Sequence, residues 1–229
     1  MNSIAIITAR SGSKRIPKKN IKNFCGRPII AYSIRAALDS KIFDEVMVST
    51  DSEEIAKIAI EFEAKVPFLR SEKTSDDYAT TSDVLEEVIE RYNLMGMSFD
   101  TICCIYPTAP FVTAQKLRDA MYIFKDKNAA CVTPVVKFGF PPQRAFVLKD
   151  GKVEFQYPEF AKARSQDLDP IFHDCGQFYI LKTVELLKHH TITPPNTYPF
   201  IMSEEEVQDI DNISDWKLAE SKFKNLYGI

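Results

Sequence analysis

Ala5-Ile6-Ile7-Thr8-Ala9-Arg10-Ser11-Gly12-Ser13-Lys14-Arg15-Ile16-Pro17-Lys18-Lys19-Asn20 is the stretch from which the rest of the chain can be read. It starts as a short apolar run, which predicts a buried strand close to the N-terminus. It then breaks into a turn of small residues carrying Arg10, Lys14, Arg15, Lys18 and Lys19. A buried parallel strand delivers the loop at its C-terminal end to a crevice at the sheet edge, where α/β proteins bind ligands. Ser11, Gly12 and Ser13 let backbone approach a ligand closely, and their N–H groups can point at phosphate oxygens. The stretch therefore reads as a polyphosphate cradle. Gly12 is its only glycine and no Gly-Lys-Ser/Thr follows, so neither the dinucleotide-binding pattern nor a P-loop is present. A solvated basic turn is the alternative, and the position directly after the first strand favours the ligand.

A chain of 229 residues is long enough to bury a full core as one domain, residues 1–229, with an inserted arm at about 137–171. No apolar run approaches the ~20 residues that span a bilayer, and no basic, apolar leader opens the sequence. No membrane partner and a cytoplasmic location are the expectation. A net charge of −3 argues against a nucleic-acid partner, which calls for a basic surface. The five cysteines, Cys25, Cys103, Cys104, Cys131 and Cys175, match neither a zinc spacing nor a closed disulfide framework. Cys103 and Cys104 lie in an apolar run and read as buried thiols of a reducing compartment. His189 and His190 are adjacent and suggest no metal cage.

In chain order, Arg27-Pro28 is expected to open a helix from Ile29 to about Leu38. Asp44–Ser49 reads as a strand. Asp51, with Glu54 three residues on, reads as the cap of a helix that carries Ile55, Ile58, Ala59 and Phe62 on one face. Val66–Leu69 is expected as a short third strand. Arg70–Thr81 is polar and aperiodic, and helical spacing resumes at Leu85, Val88, Ile89 and Tyr92. Thr101–Tyr106 is the most strand-like run, and Pro107 and Pro110 end it. Leu117, Ala120, Met121 and Phe124 line the next helix, and Ala129–Val136 is a strand. Lys149-Asp150-Gly151-Lys152 carries the Asp-Gly of a tight hairpin turn, so the arm reads as a β-hairpin excursion. Gly176–Leu181 is a strand, Thr183–His189 a helix and Tyr198–Ile201 a last strand. A terminal helix from near Ser214 puts Trp216, Ala219, Phe223 and Leu226 on one face. Alternating strands and helices predict a three-layer α/β/α sandwich around a mainly parallel sheet.

Asp209 and Asp211 are two apart and point to the same side of an extended segment. Two such carboxylates suit Mg²⁺, which keeps several waters and takes other ligands from phosphates. Acidic residues ahead of a helix also serve as caps and dipole partners, so the pair alone leaves both readings open.

The pattern Ala-Arg-x-x-Ser-Lys-x-x-Pro-x-Lys-Asn at the front resembles the N-terminal signature of the CMP-sugar synthetases, which activate nonulosonic acids with CTP. The resemblance runs along most of the chain. It implies a Rossmann-like nucleotidyltransferase sheet and a CTP-dependent cytidylyltransfer, with CTP and an acid sugar as partners. It assigns Arg10, Lys19 and Asp211 to the reaction and Asp209 with Asp211 to Mg²⁺. Ala9, Arg10, Ser11, Gly12, Ser13, Lys19 and Asn20 would hold the nucleotide. Arg70, followed by Asp77, Ala79, Thr80 and Thr81, matches the family's cytosine-reading segment, although Arg70 alone would rank as a surface cation.

Tyr106-Pro107-Thr108-Ala109-Pro110 is a third match, and it departs from the sialic acid enzymes, which carry Gln at Tyr106 and Leu-Arg at Phe111-Val112. That departure disfavours N-acetylneuraminate and suits a deoxygenated acid with an extra acetamido group and a methyl end, such as pseudaminic acid or an isomer. Phe140-Pro141-Pro142-Gln143-Arg144-Ala145-Phe146, Arg164-Ser165-Gln166 and Asp174-Cys175-Gly176-Gln177-Phe178-Tyr179 complete the resemblance. By it Tyr106, Thr108, Arg144, Arg164, Gln166, Gln177, Phe178 and Tyr179 face the sugar. Arg164 is the first candidate for its carboxylate, ahead of Lys137 and Arg144, because a guanidinium can grip it bidentately. No convincing protein base stands out: His173 could serve by its position, and a packed histidine is its plainer reading. The aromatic arm is a candidate dimer contact, and a homodimer is the expected assembly.

Overall fold

The computed structural model describes residues 2–228. Its elements run β1 (Ser3–Thr8), β2 (Asn23–Phe24), β3 (Arg27–Pro28), α1 (Ile30–Ser40), β4 (Glu45–Ser49), α2 (Glu53–Glu61), α3 (Thr81–Leu94), β5 (Thr101–Ile105), α4 (Ala114–Asp126) and β6 (Cys131–Lys137). They continue through β7 (Phe146–Lys149), β8 (Lys152–Phe155), β9 (Phe172–Asp174), β10 (Phe178–Lys182), α5 (Thr183–His189), β11 (Thr197–Ile201) and α6 (Ile213–Tyr227).

The main sheet has the order β11-β6-β10-β5-β1-β4, with β9 paired to β6. β4, β1, β5, β6 and β11 run parallel, while β9 and β10 run against them. Alternation along the central strands feeds two cores. Ala5, Ile7, Cys103 and Ile105 face α1, α2 and α4, whereas Ile4, Ile6, Ile102 and Cys104 face α3 and α5. The three-layer sandwich is thus present, with every residue of β5 buried.

A third, satellite core explains how distant parts of the chain meet. Trp216, Ala219 and Phe223 on α6 pack with Phe24, Ile29 and Phe111, and with Ile16 from the cationic turn and Ile210 from between the two aspartates. The apolar residues embedded in these polar segments anchor both segments to one cluster.

Several local expectations give way. Pro28 does not open α1; it pairs with Asn23 in a two-residue hairpin. The cap of α2 is Ser52, whose hydroxyl accepts from the Ile55 N–H, and Asp51 turns toward Ser11 instead. Val66–Leu69 is not a strand. Only Lys65 bridges to β4, and Pro67 has no N–H with which to extend the ladder. Leu226 is partly exposed rather than packed on α6's buried face. The Asp-Gly hairpin forms as expected, with Asp150 and Gly151 both at positive φ between β7 and β8. Among the described residues no helix is long and apolar enough to cross a membrane.

Candidate active site

The C-terminal ends of β1 and β5 open on a cavity of about 480 Å³. Arg10, Gly12, Ser13, Lys19 and Asn20 line it from the cationic turn, and Asp209 and Asp211 from the segment before α6. Arg70, Ala79 and Thr81 form another wall, with Tyr106 and Thr108 at the end of β5. The front and the back of the chain therefore meet around one space.

The turn is held from several directions. Asn20 is buried and its side-chain amide donates to the Arg10 carbonyl at 2.8 Å. Ser11 donates its N–H and hydroxyl to the Asp51 carboxylate at 2.8 and 2.5 Å. Ser13 N–H closes a tight turn on the Ser11 carbonyl. A Cβ added at Gly12 would meet no protein atom within 4 Å, so the fold does not demand glycine there, and the space opens on the cavity.

Four of the five cations are paired with a carboxylate, and Lys19 is not. Arg10 donates to the Asp77 carboxylate at 3.0 Å and to the Asp76 carbonyl at 2.7 Å, and Lys14 also pairs with Asp77. The hydrogen bond and charge of Lys14, with those of Arg10, hold the Asp77 carboxyl below its usual range. Arg15 binds Asp211 at 2.7 Å. Lys19 donates to the Ile210 carbonyl at 2.7 Å; burial pulls its ammonium below the ordinary lysine range, and Asp211 and Asp209 oppose that pull. Lys18 points away, to Glu54.

Burial raises the Asp209 carboxyl above its usual value, and the negative charge of Asp211 adds to it. Two crowded carboxylates on one wall favour a divalent cation. Among the described residues no cluster of three or more histidine, cysteine or acidic groups could cage a metal. The oxygen donors of Asp209 and Asp211 are the kind that Mg²⁺ takes, with phosphates and water as its other ligands. The backbone of the pair is fixed by the cap of α6: the Asp215 carboxylate accepts from the N–H groups of Asp211 and Asn212, both at 2.9 Å.

Arg70 is no free surface cation. Its Nε and one Nη donate to the Ser49 hydroxyl at 3.1 Å and carbonyl at 2.7 Å, which leaves one guanidinium edge for the cavity. Desolvation lowers its pKa. Tyr106 is fixed by its N–H to the Gln177 carbonyl and by its hydroxyl to Thr81, 3.1 Å away.

Beside the main cavity lies a smaller recess of about 330 Å³, lined by His173, Asp174, Cys175, Gly176, Tyr179, Val207 and, shared between the two, Asp209. The Asp174 carboxylate accepts from the Tyr179 hydroxyl at 2.6 Å and from the Gly176 N–H at 2.7 Å. Gly176 sits at φ 59° with the Tyr106 ring close by, where the β9–β10 line breaks. His173 is exposed rather than packed away, with Nδ1 2.8 Å from the Asp174 carbonyl.

Other expected site residues lie elsewhere. Ala9 is wholly buried and its N–H bonds to the Ser49 carbonyl. Ser11 is spent on Asp51 and does not line the cavity. Thr80 is the N-cap of α3, in a capping box with Asp83. Phe178 belongs to the α1–α4 core, because alternation along β10 turns it to the opposite sheet face from Tyr179. Gln177 is buried, with its Oε1 lacking a partner, and it lines neither space. Tyr179 is buried and reaches the recess rather than the main cavity. Arg144, Arg164 and Gln166 sit on the arm. Arg144 donates to the Ser165 hydroxyl, Arg164 is exposed and paired with Asp167 at 2.6 Å, and Gln166 faces a separate small pocket that Lys137 also lines. The sequence reading missed the roles of Asp51, Asp77 and Asp174. Asp77 stood two residues before Ala79 in the quoted match, and its charge opposite so many cations was the available signal.

A polyphosphate cradle and a carboxylate pair at the C-terminal rim of a largely parallel sheet define a nucleotidyltransferase. The solved CMP:2-keto-3-deoxy-manno-octonic acid synthetase complexed with CTP shares this fold at a TM-score of 0.71, with 15% identity, across 99% of this chain and 100% of that one. The family model for cytidylyltransferases matches residues 4–209. Pseudaminic acid cytidylyltransferase of Campylobacter jejuni is 40% identical over 98% of this chain and 97% of its own length. CMP-N,N'-diacetyllegionaminic acid synthase of Legionella pneumophila is 34% identical over 96% and 95%. This chain belongs to the cytidylyltransferase family.

Proposed function

We propose that the protein transfers CMP from CTP to the C2 hydroxyl of pseudaminic acid, giving CMP-pseudaminic acid and pyrophosphate. The observation that carries this is the full-length identity of 40% to a pseudaminic acid cytidylyltransferase, in a chain that gathers its cationic turn and carboxylate pair around one cavity. CTP would lie in the main cavity, its phosphates replacing Asp77 as the partner of Arg10 and Lys14. The acid sugar would enter the adjoining recess, where Asp174 and Tyr179 offer polar contacts and Tyr106 forms the boundary.

The hydroxyl attacks the α-phosphorus and loses its proton to solvent, and the bond from that phosphorus to the β-phosphate oxygen breaks as pyrophosphate leaves. The chain's part is positioning and charge neutralisation. Arg10 and Lys19 offset negative charge growing on the leaving group, and Ser13 and the backbone around Gly12 seat the phosphates. Asp209 and Asp211 would hold Mg²⁺, which when bound orients the triphosphate and acidifies the attacking hydroxyl. Arg144, Arg164 and Gln166 stand on an arm with exposed Phe140, Phe146, Leu148 and Val153. That surface supports a homodimer, with those arm residues serving the sugar across the contact, and the cytoplasm is the location this reading gives the enzyme.

The test is a panel of nonulosonic acids incubated with CTP and Mg²⁺, read by pyrophosphate release and by the mass of the product. Preference for pseudaminic acid is expected. Equal or better turnover of N-acetylneuraminate or of a legionaminic acid would overturn the substrate, and CTP binding without turnover would overturn the enzyme.

A further inference from the structure

One carboxylate lies behind the wall of the main cavity rather than on it. Glu87, on the second turn of α3, has a side chain only 13% exposed. It accepts from the Ser71 N–H at 2.9 Å, from the Ser71 hydroxyl at 2.8 Å and from the Thr74 hydroxyl, and Arg91 Nε forms an ion pair with it at 3.2 Å. All three hydrogen bonds come from the 71–74 segment, and they occupy most of the acceptor sites of a carboxylate. Burial would lift its pKa, but the hydrogen bonds from Thr74 and Ser71 outweigh that, and the carboxyl sits below its ordinary range.

The segment it grips has no strand or long helix to hold it; residues 72–74 form one short turn of 3₁₀ helix. Yet this segment builds a face of the nucleotide cavity. Arg70 and Thr74 line that face, Thr74 is itself buried, and Asp76 and Asp77 follow directly and meet Arg10. Arg70's remaining Nη donates a long hydrogen bond to the Thr74 carbonyl at 3.5 Å. Ser49 fixes the guanidinium plane, and the placement of Thr74 decides what meets its remaining edge.

We infer that Glu87 is a positioning residue for the nucleotide: it clamps Ser71 and Thr74 so that the 70–77 segment presents Arg70 and the Asp76–Asp77 turn to the ligand. This rests on CTP occupying the main cavity. A carboxylate that merely stiffened α3 would affect thermal stability and leave ligand affinity alone. The clamp acts on one ligand and not the other.

The experiment measures CTP binding by calorimetry without sugar, steady-state constants for both substrates, and melting, for Glu87→Ala, Glu87→Gln, Ser71→Ala and Arg91→Ala. Losing hydrogen bonds to a charged acceptor predicts a rise of about tenfold in the Kd and KM for CTP in Glu87→Ala. Its kcat and sugar KM should stay within about twofold. Glu87→Gln keeps a carbonyl acceptor and Ser71→Ala removes one hydroxyl donor, so each should cost CTP binding about threefold. Arg91→Ala spares every contact to the segment and should bind CTP like the parent. A folded Glu87→Ala with unchanged CTP affinity would overturn the inference, as would an Arg91→Ala loss as large. Should Glu87→Ala not fold, unchanged CTP constants in both Glu87→Gln and Ser71→Ala would overturn it. A parent protein that binds no CTP at all would defeat the functional reading itself, a result distinct from any difference among variants.

Discussion

The cationic turn and the arm are both loops leaving the same sheet, and they are built on opposite plans. The turn is polar on its surface but carries Ile16 into the satellite core, and the Asp209–Asp211 segment does the same with Ile210. Cross-chain contacts then tie the two together, Arg15 to Asp211 and Lys19 to the Ile210 carbonyl. The arm inverts this. Phe146, Leu148 and Val153 are largely exposed, and its charges pair locally, Arg164 with Asp167 and Lys149 with Glu154. Apolar residues that fasten a loop to its own protomer serve chemistry there. On the arm such residues stay exposed and fasten it to nothing in the same protomer.

The largest effect that would separate the two regions is on turnover. Asp211→Ala should lower kcat with CTP by about a hundredfold or more while far-UV circular dichroism stays unchanged. Near-normal turnover would remove the metal pair. Ile210→Ala comes next: deleting a buried branched side chain from the satellite core should cost about 2–4 kcal/mol of stability. Because Ile210 separates the two aspartates, turnover should fall as well, even where the protein remains folded. Leu148→Ala on the arm should change protomer stability by less than about 0.5 kcal/mol and weaken self-association instead, read by sedimentation. A large loss of protomer stability would erase the contrast drawn here.

A finer test uses pH. Burial, with help from Asp211, raises the Asp209 pKa in the folded chain, so the folded state binds this proton more tightly than the unfolded state. Stability is then lost as pH rises through that raised value, and the full penalty stands at neutral pH. Asp209→Asn should melt higher than the parent at neutral pH, with the gap closing as pH falls below the ordinary aspartate range. A gap that widened in acid would contradict the sign. The smallest effect belongs to Arg164→Ala, whose exposed pair with Asp167 should leave stability within about 0.5 kcal/mol and CTP binding untouched. Only the KM for the acid sugar should rise, if the arm serves that substrate.

Much of this was legible in the residues. Strand and helix periods marked the sandwich, the Asp-Gly pair marked the hairpin, and the Asp-x-Asp spacing put both carboxylates on one wall. What failed had physical reasons. Asp51 and Ser52 are both good caps, and only the position of Ser11 decides that Asp51 looks elsewhere. Gln177-Phe178-Tyr179 was read as one sugar-facing unit, although a strand must turn its middle residue to the other face. The 66–69 run looked extended, but a single bridge at Lys65 precedes Pro67. The anionic partners of the cations were harder to foresee, since Asp77 and Asp211 come from segments remote in the chain.

β10 runs against its neighbours, and that polarity has a mechanical consequence. β6 ends, and the β9–β10 line begins, at the same rim. The arm therefore departs from and rejoins the sheet beside the ligand spaces, like a handle bolted at both ends to the lip of a cup. Shortening or lengthening the handle would leave the strand order intact. A force applied to it would be felt first where Lys137 pairs with Phe172, at the lip.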